Sequence, residues 1–214
     1  MIITAIEEHP KGKGRVSVYL NNEFAFVLYK GELAKYGIEA DRELSSETYS
    51  IILNEVLIPR AKKRGMNLLK TIDRTQNDIV TKLKEGGYPD EAVDAAVDYL
   101  KSFHYIDDYR YASEYYRFKH DKCSQKVIVS KLSQKGIPAD VIEAAIGSFS
   151  EDNDIEPESV EEELVRKLIK KKCPQGIDAQ SYEDKQKLFA YLYRKGFSVG
   201  VIEKVYSAIK SEEL

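Results

Sequence analysis

The chain has 214 residues, 43% of them hydrophobic, which suffices for one or two domains with an ordinary core. Its 33 Lys and Arg residues nearly balance 36 Asp and Glu residues, and the absence of any apolar run of about 18 residues excludes a membrane-spanning helix. The first residues lack the basic and apolar pattern of a secretory signal peptide. Cys123 and Cys173 have no partner motif and are typical of reduced thiols, so we expect a cytoplasmic protein.

Residues 1–44 hold three short runs of β-branched and aromatic residues, separated by PKGKG and NNE. Such runs predict a small antiparallel β meander. The segment GELAKYG predicts a short helix that ends at Gly37. A sheet this small is not stable alone, so we expect it to pack on the helices that follow.

The rest of the chain repeats one pattern three times, and the copies align on Gly87, Gly136 and Gly196. Apolar residues at helical spacing stand on both sides of each glycine, which predicts two helices joined at a left-handed C′ residue. An N-capping side chain precedes the first helix of every pair. These capping residues are Thr75, Ser124 and Ser181.

A further helix is predicted before each pair. These three helices lie at about 45–65, 107–121 and 157–172. Pro59 should kink or divide the first of them, and Asp107 or Asp108 should cap the second. The second helices of the pairs are expected at 89–101, 138–148 and 198–210.

These elements predict a mainly α fold of three tandem three-helix repeats, in an elongated curved arrangement, preceded by a small antiparallel β meander. A repeat of about 50 residues buries little on its own, so neighbouring repeats should pack together. The predicted boundaries are 1–44 for the meander, 45–103 for the first repeat, 104–150 for the second, 151–163 for an acidic linker and the start of the next helix, and 157–214 for the third repeat.

Residues 151–163 hold eight acids and no base, and the remainder of the chain carries a net charge of about +5. The first half of this segment lacks apolar periodicity and is typical of a solvated, flexible linker between the second and third repeats. An alternative is a DNA-mimicking or self-inhibiting strand that competes for the basic helix 164–172. The role of the segment stays open.

The sequence contains no arrangement of residues that favours catalysis. Its histidines, His9, His104 and His120, have no metal-ligand spacing, and the Gly-Lys-Gly at 12–14 lacks the spacing of a P-loop. We therefore expect no catalytic residue, no cofactor and no metal site, and a protein that is not an enzyme.

Basic clusters are the remaining functional signal, and one of them lies at 60–64. Each cluster is either a solvated helix face or a contact surface for nucleic-acid phosphates or an acidic protein. A pI near 5.8 argues against nucleic acid as the sole partner. The candidate partner-binding residues are Arg117, Lys119, Lys122, Lys126, Arg166, Lys167, Lys170, Lys171 and Lys172.

Tyrosines crowd the second repeat at helical spacing, which favours packing in the core and between repeats over base stacking. They are Tyr105, Tyr109, Tyr111, Tyr115 and Tyr116.

The segment 105–112, YIDDYRYA, resembles the YIDD-x-R-[FY]-A signature of the RecX family, which modulates the RecA recombinase. Residues 131–145 and 195–197 are similar to the second- and third-repeat motifs of that family, and the amino-terminal sheet resembles the extension of its Gram-positive type. The family commonly has glycine where this chain has His104, so a non-glycine residue must make that turn. Thr75 replaces a serine of the family pattern and keeps the helix cap.

The resemblance implies a cytoplasmic, non-catalytic regulator that binds the groove of the RecA–single-stranded DNA filament. Such a protein limits filament assembly or promotes disassembly, and so damps recombinase and co-protease activity in DNA repair, recombination and the SOS response. Whether this chain inhibits or assists the recombinase stays open. We expect a monomer without membrane contact.

An alternative is a tandem three-helix nucleic-acid-binding protein that acts on DNA directly. The predicted helix 138–148 has no basic residue, which argues against reading of bases in a groove. It does not exclude weak contact with the phosphates of single- or double-stranded DNA.

Overall fold

The computed structural model describes residues 1–10, 12–153, 157–177 and 181–212. The chain divides into two compact units, Met1–Asp107 (unit 1) and Asp108–Leu214 (unit 2). The described residues are mainly helical with one small antiparallel sheet at the amino terminus, so the predicted mainly α fold preceded by a β meander is confirmed. None of the described helices is long and apolar enough to cross a bilayer.

The helices and strands divide between the two units. In unit 1 the strands are β1 (Ile3–Glu8), β2 (Arg15–Leu20) and β3 (Glu23–Tyr29), and the helices are α1 (Lys30–Tyr36), α2 (Ser46–Ile52), α3 (Ile58–Leu69), α4 (Gln76–Lys84) and α5 (Asp90–Ser102). In unit 2 the helices are α6 (Asp108–Lys119), α7 (Gln125–Gln134), α8 (Ala139–Asn153), α9 (Pro157–Lys172), α10 (Tyr182–Arg194) and α11 (Val199–Glu212).

The sheet is an antiparallel meander in which β2 lies between β1 and β3, with Val18 opposite both Ile6 and Phe26. Asn21 and Asn22 join β2 to β3 at φ of 51° and 71°, the left-handed values of a two-residue hairpin turn. The buried side chains of the sheet belong to the same apolar core as those of α2 to α5. The expected packing of the meander on the first helices is therefore confirmed.

The helix predicted at about 45–65 is divided near Pro59, and the division is a π-helical turn, Leu53–Leu57, between α2 and α3. The Ile58 amide donates to the Leu53 carbonyl across this wide turn. The helix continues through α3 beyond Pro59, which lies in the first turn of α3, where an N–H is not needed for the helix.

All three helix pairs have the predicted joint. Gly87, Gly136 and Gly196 have φ of 82°, 78° and 94°, so each glycine ends its helix in the left-handed conformation. The predicted capping hydroxyls accept hydrogen bonds from the first turns of α4, α7 and α10. The helices after the joints begin and end close to the predicted residues, except that α8 continues to Asn153.

The described part of unit 2 contains two apolar clusters. One joins α6, α7 and α8 around Ile128 and Leu132, and the other joins α9, α10 and α11 around Val165 and Leu192. Each set of three helices therefore buries its own side chains, as expected for tandem three-helix repeats.

The acidic segment differs from the prediction. Residues 151–153 are helical, so a flexible linker is wrong for them; no glycine or proline stands between Gly147 and Pro157 to end α8 earlier. Residues 154–156 lie outside the described residues. Residues 157–163 belong to α9, as predicted, and Glu162 there pairs with Lys204; a DNA-mimicking or self-inhibiting role of the acidic segment stays a prediction.

Gly87, the joint between α4 and α5, lies against the sheet, and a Cβ there would collide with the Val27 side chain and touch Phe24. We expect Gly87→Ala to destabilise the protein by about 1 kcal/mol for the left-handed backbone and by roughly 1–3 kcal/mol more for overpacking. Urea unfolding followed by circular dichroism measures this loss.

Gly37→Ala is the matched control, because Gly37 ends α1 at a φ of 64° and has open space where the Cβ would lie. It should show only the backbone part of the loss. Val27→Ala should rescue part of the Gly87→Ala defect by removing the colliding methyl groups. Equal losses for the two glycine variants would contradict a close approach between the sheet and the joint.

Candidate partner-binding surface

Within the described residues, no group of three or more His, Cys, Asp or Glu side chains could hold a metal ion. His9 Nδ1 lies 3.1 Å from the Ser17 hydroxyl, and His120 Nδ1 lies 2.9 Å from the Arg117 carbonyl. His104 makes the turn after α5 at a φ of 55°, in place of a glycine. These settings give the histidines structural roles, so the candidate site is sought on the charged surfaces.

Two of the predicted cations, Lys119 at the end of α6 and Lys122 just after it, lie against one exposed ring. Phe118 is 64% exposed, with the Lys122 Nζ 3.9 Å and the Lys119 Nζ 5.0 Å from its ring centroid. Arg117 lies 3.3 Å from the Glu114 carboxylate. Because ammonium groups are attracted to the face of an aromatic ring, Lys119 and Lys122 form a compact positive patch, and the Asp121 carboxylate lies 3.8 Å from the Lys122 ammonium group. We call Arg117, Phe118, Lys119 and Lys122 the Phe118 cluster.

Two of the predicted cations of α9 are held in ion pairs within unit 2. Arg166 donates to both carboxylate oxygens of Glu212, at 2.9 and 2.7 Å, and thereby ties α9 to the end of α11. Lys167 pairs with Glu163 at 2.8 Å, one helical turn away. The exposed α9 cations that form no ion pair within the described residues are Lys170, Lys171 and Lys172.

Two cations lie at the ring of Tyr191 on α10, and two more line a cavity beside it. We call Tyr191 and the four cations Lys172, Lys187, Arg194 and Lys195 the Tyr191 cluster. Lys172, at the end of α9, has its Nζ 4.9 Å from the ring centroid, and the Lys195 Nζ lies 5.7 Å from it. Lys187 and Arg194 line a cavity of about 410 Å³ beside the ring, together with Lys172. Two cations at the ring and two more along the cavity make a surface that fits phosphate or carboxylate groups.

Sequence reasoning missed Lys187, Arg194 and Lys195 as site residues. The sequence did contain a signal. These three basic residues stand at positions −4, +3 and +4 relative to Tyr191, and residues at such spacing lie on the same face of a helix. Among the described residues that line the cavity, the acidic one is Asp184, which lies 3.8 Å from Lys187. Three cations against one carboxylate leave the cavity with a positive charge.

Lys126 lies at the contact between α7 and the end of α10. The Ser124 hydroxyl donates to the Lys195 carbonyl at 3.0 Å, and Gly196 lies so close that a Cβ there would collide with that hydroxyl. The Lys126 Nζ lies 5.9 Å from the Tyr193 ring centroid, and both side chains line a cavity of about 540 Å³. The contact thus brings Lys126 next to the helix that carries the Tyr191 cluster.

The tyrosines of the second repeat divide into packed and exposed rings. Tyr116 is buried, and Tyr111 and Tyr115 pack against the same core. Tyr105 and Tyr109 are 49% and 42% exposed. The packing prediction is therefore right for the first three rings and wrong for the last two.

Glu161 of α9 lies at the start of α7, where its carboxylate accepts a hydrogen bond from the Gln125 amide at 2.7 Å. Burial raises the pKa of Glu161 above its ordinary value of 4.5, against the lowering effect of that hydrogen bond, and the Glu158 charge raises it further. The pKa of Tyr116 is also raised, by burial and then by the Glu161 charge. An ionisable group therefore sits between the two helix sets of unit 2.

These features define a class, a helical-repeat protein with an amino-terminal β extension and exposed clusters of cations on aromatic rings. Family models agree with this class and match four stretches of the chain. The matches are the Regulatory protein RecX N-terminal domain at residues 1–45, and the first, second and third RecX three-helix domains at 61–100, 107–146 and 160–206.

Whole-chain comparisons identify the family. The chain is 30% identical over 205 residues to the regulatory protein RecX of Caldanaerobacter subterraneus subsp. tengcongensis, covering 95% of this chain and 98% of that protein. It is 32% identical over 207 residues to that of Limosilactobacillus reuteri, covering 96% and 74%. The protein therefore belongs to the RecX family of regulatory proteins.

Solved structures agree with this assignment. A crystal structure of regulatory protein RecX has a TM-score of 0.62 at 30% identity and covers 96% of this chain and 98% of that one. RecX from Lactobacillus salivarius has a TM-score of 0.61 at 25% identity, with coverages of 72% and 97%.

The raised pKa of Glu161 predicts a pH dependence of stability. Between 4.5 and the raised value, the folded protein binds a proton more readily than the unfolded chain, so the free energy of unfolding decreases as the pH rises through this window. Glu161→Gln keeps an oxygen acceptor for the Gln125 amide and removes the buried charge. Its gain in stability over the wild type should therefore be larger at about pH 7 than at about pH 4.5.

Urea unfolding at several pH values measures this difference. Glu163→Gln is the control, because it removes a carboxylate from an exposed pair on the same helix, worth less than about 0.5 kcal/mol. A gain for Glu161→Gln that is equal at all pH values would show that the carboxylate is not the cause.

Proposed function

We propose that this RecX-family protein regulates the RecA recombinase by binding the RecA filament on single-stranded DNA, and that it limits the activity of that filament. Family membership supports the choice of partner. The observation that carries the physical argument is the Tyr191 cluster, in which two exposed cations lie against the ring and two more line the adjacent cavity. A filament of protein and DNA offers both carboxylates and phosphates to such a surface.

The Phe118 cluster supplies a second contact on unit 2. Its cations are exposed or half-buried around a ring that is itself open to solvent. When one cluster is bound, the other meets the same filament at a high effective concentration, so two weak contacts give useful affinity. In this proposal Lys126, Lys170 and Lys171 assist the two clusters, whereas Arg166 and Lys167 are mainly occupied by their carboxylate partners.

Direct reading of duplex DNA has less support. A helix that reads bases needs Arg, Lys, Asn or Gln on an exposed face. The described length of α8 has no Arg or Lys, and its charged side chains are all acidic. Contact with phosphates at the cation clusters is therefore favoured over base reading.

Charge reversal at the Tyr191 cluster tests the proposal. Lys172→Glu together with Arg194→Glu replaces attraction by repulsion at the cavity, and should weaken filament binding by about tenfold or more at low salt. Co-sedimentation with preformed RecA–single-stranded DNA filaments at two salt concentrations measures the effect. Naked DNA and free RecA are run in parallel, and reversal of Lys170, Lys171 and Lys172 extends the test along α9.

Lys131→Glu together with Lys210→Glu is the matched control, because both lysines are exposed in unit 2, lie outside the two clusters and give the same change in net charge. It should weaken binding less than about twofold. Equal losses for the two double variants would indicate general charge attraction and overturn the assignment of the cluster. Absence of wild-type protein from the filament pellet would overturn the proposed function itself.

A further inference from the structure

We propose that unit 1 carries a stacking platform for unpaired bases of single-stranded DNA, formed by Tyr99, Phe103 and Tyr105 with Lys62 above the first ring. The choice of ligand rests on the proposed function. The platform adds a nucleotide-binding site on unit 1 to the cation clusters of unit 2.

The three rings follow one another along the surface at the end of α5. The ring centroids of Tyr99 and Phe103 are 4.9 Å apart, and those of Phe103 and Tyr105 are 6.0 Å apart with an interplanar angle of 20°. Phe103 is 57% exposed and Tyr105 is 49% exposed. Contiguous exposed apolar surface of this kind marks interaction sites, and every base offers a π-face that can stack on it.

The backbone holds the rings in this order before any ligand arrives. Tyr99 and Phe103 are one helical turn apart and share a helix face. His104 then takes a φ of 55°, and the Tyr105 amide donates to the Leu100 carbonyl at 2.9 Å, which folds the chain back over the helix end. Because the Tyr105 backbone is fixed by this bond, stacking a base requires little further ordering.

Cations border the platform. The Lys62 Nζ lies 4.8 Å from the Tyr99 ring centroid, and Lys70 lines a cavity of about 240 Å³ with Met66, Leu69 and Tyr105. The helix that carries Lys62, α3, has no acidic residue.

Rings that stack bases, together with lysines that meet phosphates, are the combination by which proteins hold single strands without reading their sequence. Met66 and Leu69 give the border an apolar side, but its charged members are Lys62 and Lys70, which attract phosphates. The composition of the border therefore favours a nucleic acid as the occupant.

The test measures binding of the full chain to a labelled oligothymidylate by fluorescence anisotropy. Phe103→Leu with Tyr105→Leu keeps an apolar surface but removes two π-faces, and should weaken binding by about tenfold. An oligomer of abasic sites with the same number of phosphates removes the bases instead. The wild type should bind the abasic oligomer about as weakly as the double variant binds oligothymidylate. The double variant and the wild type should bind the abasic oligomer with the same affinity.

Tyr182→Leu on α10 is the control, because it removes a ring that is also exposed, and it should change the affinity less than about twofold. Unfolding curves of the variants confirm that each is folded. Three results would overturn the platform: no binding of oligothymidylate by the wild type, equal binding of the abasic oligomer, or unchanged affinity of the double variant.

Filament pelleting, measured on the same proteins, separates this inference from the proposed function. If the wild type pellets with filaments while the oligothymidylate results fail, the platform is wrong and the proposed function stands. If the double variant loses filament binding but binds oligothymidylate normally, the rings contact the recombinase protein instead of bases, which also overturns the platform.

Discussion

The arrangement of unit 2 depends on two hydrogen bonds made by one hydroxyl group. The Ser124 Oγ accepts from the Val127 amide, which caps α7, and donates to the Lys195 carbonyl at the end of α10. Amides at the start of a helix and carbonyls at its end have no partner within the helix. Because buried polar groups need partners, one side chain satisfies two helix ends that are 71 residues apart in sequence. The glycine at 196 lets the two backbones approach closely enough for this contact.

The cations proposed to bind a partner lie on the same short segments that make this contact. Lys126 follows Ser124 by two residues and reaches Tyr193, while Lys195 supplies its carbonyl to Ser124 and its ammonium group to the Tyr191 ring. Structural and functional groups therefore share a few residues. A change in the contact between α7 and the end of α10 would therefore also move the ammonium groups of Lys126 and Lys195.

Local features of the fold were predictable from sequence, and long-range ones were not. Gly136 and Ser181 act through residues close to them in the chain, so spacing alone indicates the joint and the cap. The bond from the Gln125 amide to Glu161 spans 36 residues, and the pair of Arg166 with Glu212 spans 46. Neither contact leaves a local pattern, because each depends on how separate helices pack.

The candidate site shows the same division. Lys172 was predicted from the density of charge at the end of α9, which is a local property. Its association with Arg194 beside Tyr191 depends on where α10 lies next to α9. Exposure of Tyr105 also escaped prediction, because helical spacing cannot say how the turn at His104 directs the following ring.

The close approach at Gly196 also constrains how the protein can change over evolutionary time. A side chain at position 196 meets the hydroxyl of Ser124 and a methyl group of Val127, so both neighbours would have to give way to it. A smaller residue at 124 leaves the Val127 amide without its cap and the Lys195 carbonyl without its donor. Either single replacement therefore passes through a less stable intermediate. The two positions are therefore coupled in the folded state, and the cost of changing one depends on which residue stands at the other.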